Sequence, residues 1–310
     1  MAPTAVVEVD LKGQLPKIAS GKVRDLFAVD ENTLLFVTSD RISAYDVVMK
    51  NGIPHKGALL TAMSVFWFHY LQDKIPTLKT HFLTDALPES LETSLDPSLV
   101  ALLRPRSVQV RRLHVVPIES IVRGYIAGSA WSEYKKLGAV NGIALQAGLV
   151  EGQKLDAPLW TPSTKAEAGM KDENISPERA RALIGDGRIA REIERLSLEI
   201  YTAAASRAEE VGIILADTKL EFGLDEAGDV VLVDEVLTSD SSRFWLKATW
   251  EENLGRAQPS FDKQYLRDWL VSQGLKGKGN VVIPEEVASQ TAARYREAYQ
   301  MLTGGEFRSK

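Results

Sequence analysis

The stretch ADTKLEFGLDEAGDVVLVDE, residues 216–235, predicts a β-hairpin. Two apolar runs flank the turn-forming segment DEAGD, and Asp234 follows the second run. Residues i, i+2 and i+4 of a strand share a face, so Asp217, Lys219 and Glu221 point to one side and the apolar residues between them to the other. One face of the hairpin is therefore charged, although its strands are apolar enough to be buried.

The charged face has two interpretations. A loop of four residues, 226–229, would place Glu221 directly opposite Asp234. Two facing carboxylates repel each other, and a Mg²⁺ ion bound to a nucleotide would relieve the repulsion, because Mg²⁺ takes one or two carboxylates plus phosphate oxygens. The alternative is a solvated sheet face whose charges pair across the strands. The hairpin pattern alone leaves both open.

Composition narrows the function classes. The chain has 310 residues, which favours two subdomains with a cleft between them, and 45% hydrophobic with 25% charged residues is typical of a globular protein. A net charge of -5 without a basic block argues against nucleic acid as a partner. The absence of cysteine excludes disulfides and thiolate chemistry, and four scattered histidines argue against zinc. With no signal-like N-terminus and no membrane-length apolar run, we expect a soluble, cytoplasmic protein without membrane partners.

The element pattern mixes strands and helices, and we divide the chain into three parts, 1–115, 116–260 and a C-terminal helical segment, 261–310. A strand break at Pro117 suggests a hinge near residue 115. Helices are expected over residues 57–74, 128–138, 188–211, 261–272 and 284–303, and strands over 22–29, 33–40, 106–116, 117–123 and in the hairpin. Residues 141–175 are expected to be irregular.

The segment SGKVRDLF, residues 20–27, places Gly21, Lys22 and Arg24 at the start of a strand. A glycine beside basic residues at such a turn can cover phosphates, as the glycine-rich loop of kinases does. The segment is not a Walker A motif, and an ordinary turn is the alternative.

Two other segments suggest a phosphate site. In VRGYIAGSAW, residues 122–131, Arg123 ends a strand and Ser129 lies at a helix start, where free N–H groups, a hydroxyl and a guanidinium could bind a phosphate monoester. In TSDSSRFW, residues 238–245, clustered hydroxyls precede Arg243. The alternatives are a normal helix cap and surface arginines.

Two further segments carry less information. TSDRISAYD, residues 38–46, is a polar stretch after a strand and ends in Asp46. GDGRIA, residues 185–190, matches a dinucleotide-binding pattern but follows a helical segment, so we interpret it as a turn between helices.

Taken in order, these motifs resemble the SAICAR synthetase family from about residue 18 to the C-terminus. The matching motifs are GKVRDLF, TSDRISAYD, PIESIVRGYIAGSAW, PSTKAE, DENIS, DTKLEFG, LVDEVLTSDSSRFW and DKQYLRDWL. The likeness is greatest to the fungal single-function form. It implies an α+β fold with a kinase-like N-terminal lobe, an ATP-grasp-like second lobe, and ATP between them. It also implies a ligase that joins the carboxylate of CAIR, a carboxylated aminoimidazole ribonucleotide, to L-aspartate, giving SAICAR, ADP and phosphate.

The resemblance also implies roles for single residues. Catalytic roles fall on Lys219 and Asp217. Nucleotide binding falls on Gly21, Lys22, Val23, Arg24, the hinge residues Leu113 and Val115, Lys165, Glu221 and Asp234. The last two would also bind Mg²⁺. Substrate binding falls on Asp46, Arg123, Ser129 and Arg243. The fungal likeness suggests a monomer. Lys171 and Ser239 depart from the family pattern, which often has His and Pro at these positions.

Two rival hypotheses remain at this stage. A small-molecule kinase would use the same glycine loop and carboxylates but would release ADP without any need for aspartate. A non-catalytic nucleotide-binding protein would bind ATP and turn nothing over. The second needs only one phosphate pocket, whereas the sequence offers two.

Overall fold

The computed structural model describes residues 4–45, 47–165, 172–261 and 263–307. The strands are β1 (Lys17–Ser20), β2 (Arg24–Ala28), β3 (Thr33–Thr38), β4 (Ser43–Ala44), β5 (Val47–Val48), β6 (Lys79–Thr80), β7 (Phe82–Thr84), β8 (Ser107–Arg111), β9 (His114–Val115), β10 (Ile118–Tyr125), β11 (Ala139–Val140), β12 (Ile143–Ala144), β13 (Lys154–Trp160), β14 (Ser163–Thr164), β15 (Ile213–Leu224), β16 (Val230–Val233) and β17 (Ser242–Leu246). The α-helices are α1 (Lys56–Lys74), α2 (Glu89–Ser94), α3 (Pro97–Leu103), α4 (Gly128–Leu137), α5 (Pro177–Ile184), α6 (Gly187–Glu210), α7 (Lys247–Trp250), α8 (Gln264–Ser272) and α9 (Glu285–Thr303).

The first sheet has the strand order β1-β2-β3-β8-β7. Its predicted β2–β3 hairpin is confirmed, with Arg24 opposite Thr38. One face of this sheet buries Phe27, Leu35 and Val37 against helices α2 and α3, which supply Leu91 and other apolar residues. The first sheet thus has an apolar core of its own. The glycine loop, residues 21–24, leads into the start of β2.

The second sheet has the order β13-β10-β15-β16-β6, with β9, β14 and β17 paired to its middle strands. Helices α1 and α6 cover one face, where Leu220 and Phe222 of β15 pack into the largest apolar core. That leaves the other face of β15 free for the charged residues that alternate with them, as the strand period predicts. All five helices expected from the sequence are confirmed, with ends shifted by up to three residues.

The expectation of one strand over residues 106–116 is wrong. The chain leaves the first sheet after β8 and enters the second at β9, where Val115 pairs with Gly223 of β15. Residues 79–84 cross between the sheets in the same way: β6 pairs with β16, whereas β7 pairs with β8. The apolar run therefore serves two sheets, and strand periodicity cannot reveal such a change of partner.

Residues 141–175 are not irregular throughout. They contain β13, which pairs with β10 at the edge of the second sheet. The sequence did not indicate this strand for two reasons. Most of its side chains are exposed, so apolar and polar residues do not alternate along it. It also contains Pro158, which argues against a strand in a sequence but is tolerated at the edge of a sheet. The motif at 185–190 is confirmed as a turn, because Gly185 ends α5 and Asp186 caps α6.

The hairpin itself is confirmed, but its predicted four-residue loop is wrong. Leu224 pairs with Val230, so the loop has five residues, 225–229, and Glu221 lies opposite Val233. Asp234 follows the end of β16 with a φ of 63°, in the left-handed region. This turn takes Asp234 out of the strand alternation, so the register argument does not apply to it.

Candidate active site

The charged face of β15 carries a chain of ion pairs. Lys219 Nζ donates to Glu119 Oε1 of β10 at 2.6 Å and to Glu221 Oε1 at 3.2 Å. Glu221 Oε2 also accepts a hydrogen bond from Lys165 Nζ. Glu119, Lys219 and Glu221 are partly or largely buried, so the interactions among them are only weakly screened by water, whereas Lys165 is exposed. The predicted common face of Lys219 and Glu221 is confirmed.

Two arginines flank Asp217 at the other end of the same face. Asp217 Oδ2 accepts from Arg123 Nη1 at 3.1 Å and from Arg243 Nη1. Arg123 Nη2 also donates to Ser129 Oγ at 3.2 Å. Ser129 lies in the first turn of α4, whose N-terminal backbone N–H groups favour an anion. The two guanidinium groups, the hydroxyl and the helix start thus meet as the sequence predicts for a phosphate site.

Gly128 allows this close assembly. A Cβ on Gly128 would lie 2.5 Å from Arg243 Nη2, and its φ of 57° is unfavourable for other residues. Glycine is therefore required both for the backbone conformation and for the approach of the guanidinium.

The glycine loop reaches the second sheet through Arg24. Arg24 Nη2 donates to Asp234 Oδ2 at 2.6 Å, and its Nη1 lies 3.3 Å from Glu235 Oε2. Gly21 and Lys22 are exposed, and their carbonyl groups accept hydrogen bonds from Arg41. The loop is therefore tied at its base, with Gly21 and Lys22 facing solvent.

Two other contacts position this region. Val23 O accepts from Ser39 N at 2.9 Å, which ties the loop to the segment after β3. Residues 113–114 lie close to Gly223, where a Cβ would lie 3.0 Å from His114 O and 3.2 Å from the Leu113 Cβ. Val115 is 37% exposed, so it offers an apolar surface beside the charged face.

A cavity of about 810 Å³ opens along the charged face. Its lining includes Glu119, Arg123, Ser129, Lys219 and Arg243. Arg24, Asp234 and Glu235 line a separate, much smaller cavity beside Phe36 and Phe68. The polar cavity therefore ends near Lys219, where the ion-pair chain continues through Glu221 toward Lys165.

The electrostatics of the site follow from burial and from neighbouring charges. Burial disfavours the charge on Lys219, but Glu221 and Glu119 outweigh it and raise the pKa of Lys219 above its usual range. Burial also opposes the charge on Glu221, yet Lys219 and Lys165 lower its pKa. Burial raises the pKa of Asp234 to about 6, with Arg24 opposing and Glu221 and Glu235 reinforcing the rise. Lys219 is therefore held as a cation, whereas burial disfavours the charge on Asp234 even though Arg24 lies beside it.

The donor set fits Mg²⁺. Glu221 and Asp234 lie near enough to interact, because the charge of Glu221 adds to the effect of burial in raising the pKa of Asp234. Their partners are side-chain cations that a divalent ion and phosphates could displace. Among the described residues no three His, Cys, Asp or Glu side chains form a complete metal site.

Comparison with known proteins identifies the family. A family model described as SAICAR synthetase matches residues 17–284. A phosphoribosylaminoimidazole-succinocarboxamide synthase of Pichia angusta is 52% identical over 306 residues, which cover 96% of this chain and 98% of the relative. The chain belongs to the SAICAR synthetase family.

Solved structures agree with this assignment. A SAICAR synthase of Saccharomyces cerevisiae complexed with SAICAR is 45% identical with a TM-score of 0.88, covering 97% of this chain and 99% of that one. A type-2 SAICAR synthetase in complex with ADP is 26% identical with a TM-score of 0.69, covering 94% and 100%. The expected α+β fold, with a kinase-like and an ATP-grasp-like lobe, is confirmed.

Family membership establishes the activity. The chain is an ADP-forming carbon–nitrogen ligase of purine biosynthesis, which makes SAICAR from CAIR, L-aspartate and ATP. In the part of the chain that the structure describes, no helix has the length and apolar character needed to cross a membrane. Asp46 and Lys171, which the sequence singled out, lie outside the described residues.

Sequence reasoning missed several residues of the site. Glu119 and Thr161 were not expected, yet Glu119 binds Lys219, and Thr161 Oγ1 accepts from Arg123 Nε at 2.9 Å. Glu119 could have been found, because Glu119, Ile121 and Arg123 alternate along β10 and therefore lie on one face of that strand. Thr161 lies in the segment that was expected to be irregular and carried no such signal.

Proposed function

We propose that the charged face of β15 is where the phosphoryl group of ATP meets the carboxylate of CAIR. The observation that supports this most is the continuity of the face. At one end Asp217 binds the guanidinium groups of Arg123 and Arg243, which together with Ser129 we call the phosphate cradle. At the other end, the nucleotide end, Glu221 binds Lys165. Lys219 lies between these ends and also binds Glu221. In this proposal the two phosphorylated substrates approach Lys219 from opposite ends.

At the nucleotide end, Gly21, Lys22, Val23 and Arg24 cover the phosphates of ATP. Leu113 and Val115 meet the adenine at the hinge, and Lys165 binds in the ATP site. Glu221 and Asp234 hold Mg²⁺, which when bound offsets the negative charge of the phosphates. The exposed Val115 and the electrostatic interaction between Glu221 and Asp234 support these roles.

At the other end, Arg123, Ser129 and Arg243 bind the ribose phosphate of CAIR, helped by the N-terminus of α4. Asp217, which accepts from both arginines, orients their guanidinium groups toward the phosphate. Asp46 is assigned to the substrate end by family resemblance alone.

The reaction then needs no nucleophile from the protein. A carboxylate oxygen of CAIR attacks the γ-phosphorus of ATP, and ADP leaves, so that an acyl phosphate forms. Lys219 offsets the charge on the transferring group. The free amine of L-aspartate attacks the acyl carbon, the carbon–oxygen bond to phosphate breaks, and the departing phosphate takes up the proton that the nitrogen loses, so that the amide of SAICAR remains. The protein contributes mainly by positioning the reactants.

We also propose that the protein is a cytoplasmic monomer with its domain boundaries near residues 115 and 260. The likeness to the fungal single-function form supports the monomer, and the crossover between the sheets at residues 112–113 supports the first boundary. Light scattering coupled to gel filtration tests the monomer: a particle of twice the chain mass at micromolar concentration would contradict it.

The experiment for the catalytic proposal follows ADP and SAICAR together, with CAIR and Mg-ATP present and L-aspartate added or withheld. We expect stoichiometric ADP and SAICAR only with aspartate. Glu221→Ala and Asp234→Ala should abolish turnover and keep the folded circular dichroism spectrum. Near-normal turnover in both variants would refute the metal site, and steady ADP release without aspartate would refute tight coupling.

A further inference from the structure

The segment 234–241, which joins β16 to β17, connects the two ends of the proposed site. It begins with Asp234 at the nucleotide end and finishes with Ser241 at the cavity wall, where Arg243 of β17 follows. Two residues other than glycine, Asp234 and Leu237, have left-handed φ values of 63° and 53°. Such conformations persist only where the surroundings hold them. The question is which contacts hold this segment.

Asp240 is the most strongly anchored residue of the segment. Its Oδ2 accepts from Lys56 Nζ at 2.7 Å, and its Oδ1 accepts from Tyr295 Oη at 2.6 Å. Lys263 Nζ lies 3.4 Å from Oδ2. Burial opposes the charge of this carboxylate, yet Lys263 and Lys56 lower its pKa far below the usual range, so Asp240 is ionised. Helices α1 and α9 and the residue before α8 thus converge on one buried side chain.

The position of Lys56 is unfavourable apart from this pair. Its side chain is 0% exposed, and it is the first residue of α1, where the helix dipole disfavours a cation. A buried ion pair is often no more stabilising than apolar residues of the same size. Stability alone therefore does not explain the Lys56–Asp240 pair. A need to hold Asp240 in one position does explain it.

Hydrogen bonds link Asp240 to the cavity. Asp240 N donates to Thr238 Oγ1 at 3.2 Å, and Thr238 N donates to Ser241 Oγ at 3.1 Å, which closes a compact turn. Ser241 O accepts from Lys219 N at 2.9 Å, so this turn is fixed on the charged strand. Ser241 lines the cavity, and Arg243 follows two residues later. A shift of Asp240 would therefore move the cavity wall near the phosphate cradle.

We propose that Asp240, held by Lys56 and Tyr295, is a positioning residue that fixes Ser241 and Arg243 for the ribose-phosphate end of CAIR. It acts through these neighbours and does not touch the substrate. The inference rests on the proposed role of Arg243. The nucleotide end depends less on Asp240, because Asp234 and Glu235 have their own ion pairs with Arg24.

The test uses Tyr295→Phe, which removes one hydroxyl and keeps the ring that lies 5.8 Å from Lys56 Nζ. We expect the KM for CAIR to rise roughly three- to tenfold, because part of the cost of losing one hydrogen bond to a buried carboxylate reaches substrate binding, with the KM for Mg-ATP unchanged. The matched control is Tyr299→Phe, one turn further along α9, where the ring packs against Phe307. This control should leave every constant unchanged.

Asp240→Asn provides a second variant that keeps the shape and removes the charge. If it folds by circular dichroism, its KM for CAIR should rise more than that of Tyr295→Phe; if it does not fold, Tyr295→Phe decides. An unchanged KM for CAIR in the folded variants would overturn the proposal. An equal rise in the KM of all three substrates, together with a lower Tm, would also overturn it, since that is the result of a merely structural role.

Arg243→Gln separates the failure of this inference from the failure of the proposed function. A normal KM for CAIR in Arg243→Gln would refute the phosphate cradle itself. A raised KM in Arg243→Gln with a normal KM in Tyr295→Phe would refute only the positioning role of Asp240.

Discussion

At the scale of single residues, the site depends on close approaches between charged groups. Lys219 contacts two carboxylates, and Asp217 contacts two guanidinium groups, all on one strand face. The sequence predicted this face because strand periodicity is local. The sequence did not predict that Ser239 is buried, or that its Oγ has no hydrogen-bond partner among the described residues. Both properties depend on contacts with residues that are distant in the sequence.

Lys219→Met should lower kcat by about 10²–10³, because it removes a preorganised cation from the transferring phosphoryl group. The control is Lys79→Met in β6. The Lys79 side chain is half exposed and pairs with Asp225 and Asp229 in the loop of the hairpin. Exposed pairs contribute little, so this variant should keep its kcat. Steady-state kinetics of both decide, and an equal loss in the two variants would contradict the role of Lys219.

Gly128→Ala should raise the KM for CAIR about tenfold or more, because the new methyl group displaces the guanidinium of Arg243. Gly138→Ala is a matched control: Gly138 has a similar φ of 64°, but nothing lies within 4 Å of its added Cβ. Both variants should lose about 1 kcal/mol of stability from the left-handed conformation. If the two variants bind CAIR equally well, Arg243 does not belong to the cradle.

At the scale of elements, local signals predicted the helices and the hairpin but not the exchange of strands between sheets. The segment around His81 shows why. His81 N donates to Leu232 O of β16, and His81 O accepts from Arg111 N, which follows directly from the partners of β6 and β7 in different sheets. Nothing in the alternation of apolar residues marks such a switch, because both neighbouring strands are equally apolar.

The ring of His81 lies between Phe36 and Phe68, and it is 2% exposed. Burial lowers its pKa to about 3, whereas an unfolded histidine has a pKa near 6.5. Below pH 6.5 the unfolded chain therefore binds more protons than the folded one, so stability falls as the pH falls, by about 1.4 kcal/mol per pH unit down to about pH 3.

Urea unfolding at pH 7.5 and 5.5 checks this effect. Between these values the wild type should lose about 1.4 kcal/mol more than His81→Phe, whose ring cannot titrate and can pack between the same two aromatic rings. Equal losses in the two proteins would show that His81 is not held neutral in the folded state.

At the scale of the whole molecule, two sheets are joined by the chain crossings near residues 81 and 112–113, and by ion pairs. Arg24 of the first sheet binds Asp234 and Glu235 beside the second. The sequence predicted two lobes from chain length and from family resemblance. Physical reasoning from composition could not have predicted that Arg24 binds Asp234, because the two residues are 210 positions apart in the sequence.

The central claim is that ATP phosphorylates the carboxylate of CAIR on the charged face of β15 before aspartate attacks. The most direct measurement uses CAIR labelled with ¹⁸O in its carboxylate and determines the isotope content of the released phosphate by mass spectrometry. An acyl phosphate transfers one carboxylate oxygen to phosphate, so the account predicts one ¹⁸O per phosphate at each turnover. Phosphate without label would contradict the account, because the carboxylate oxygen would then leave by another route.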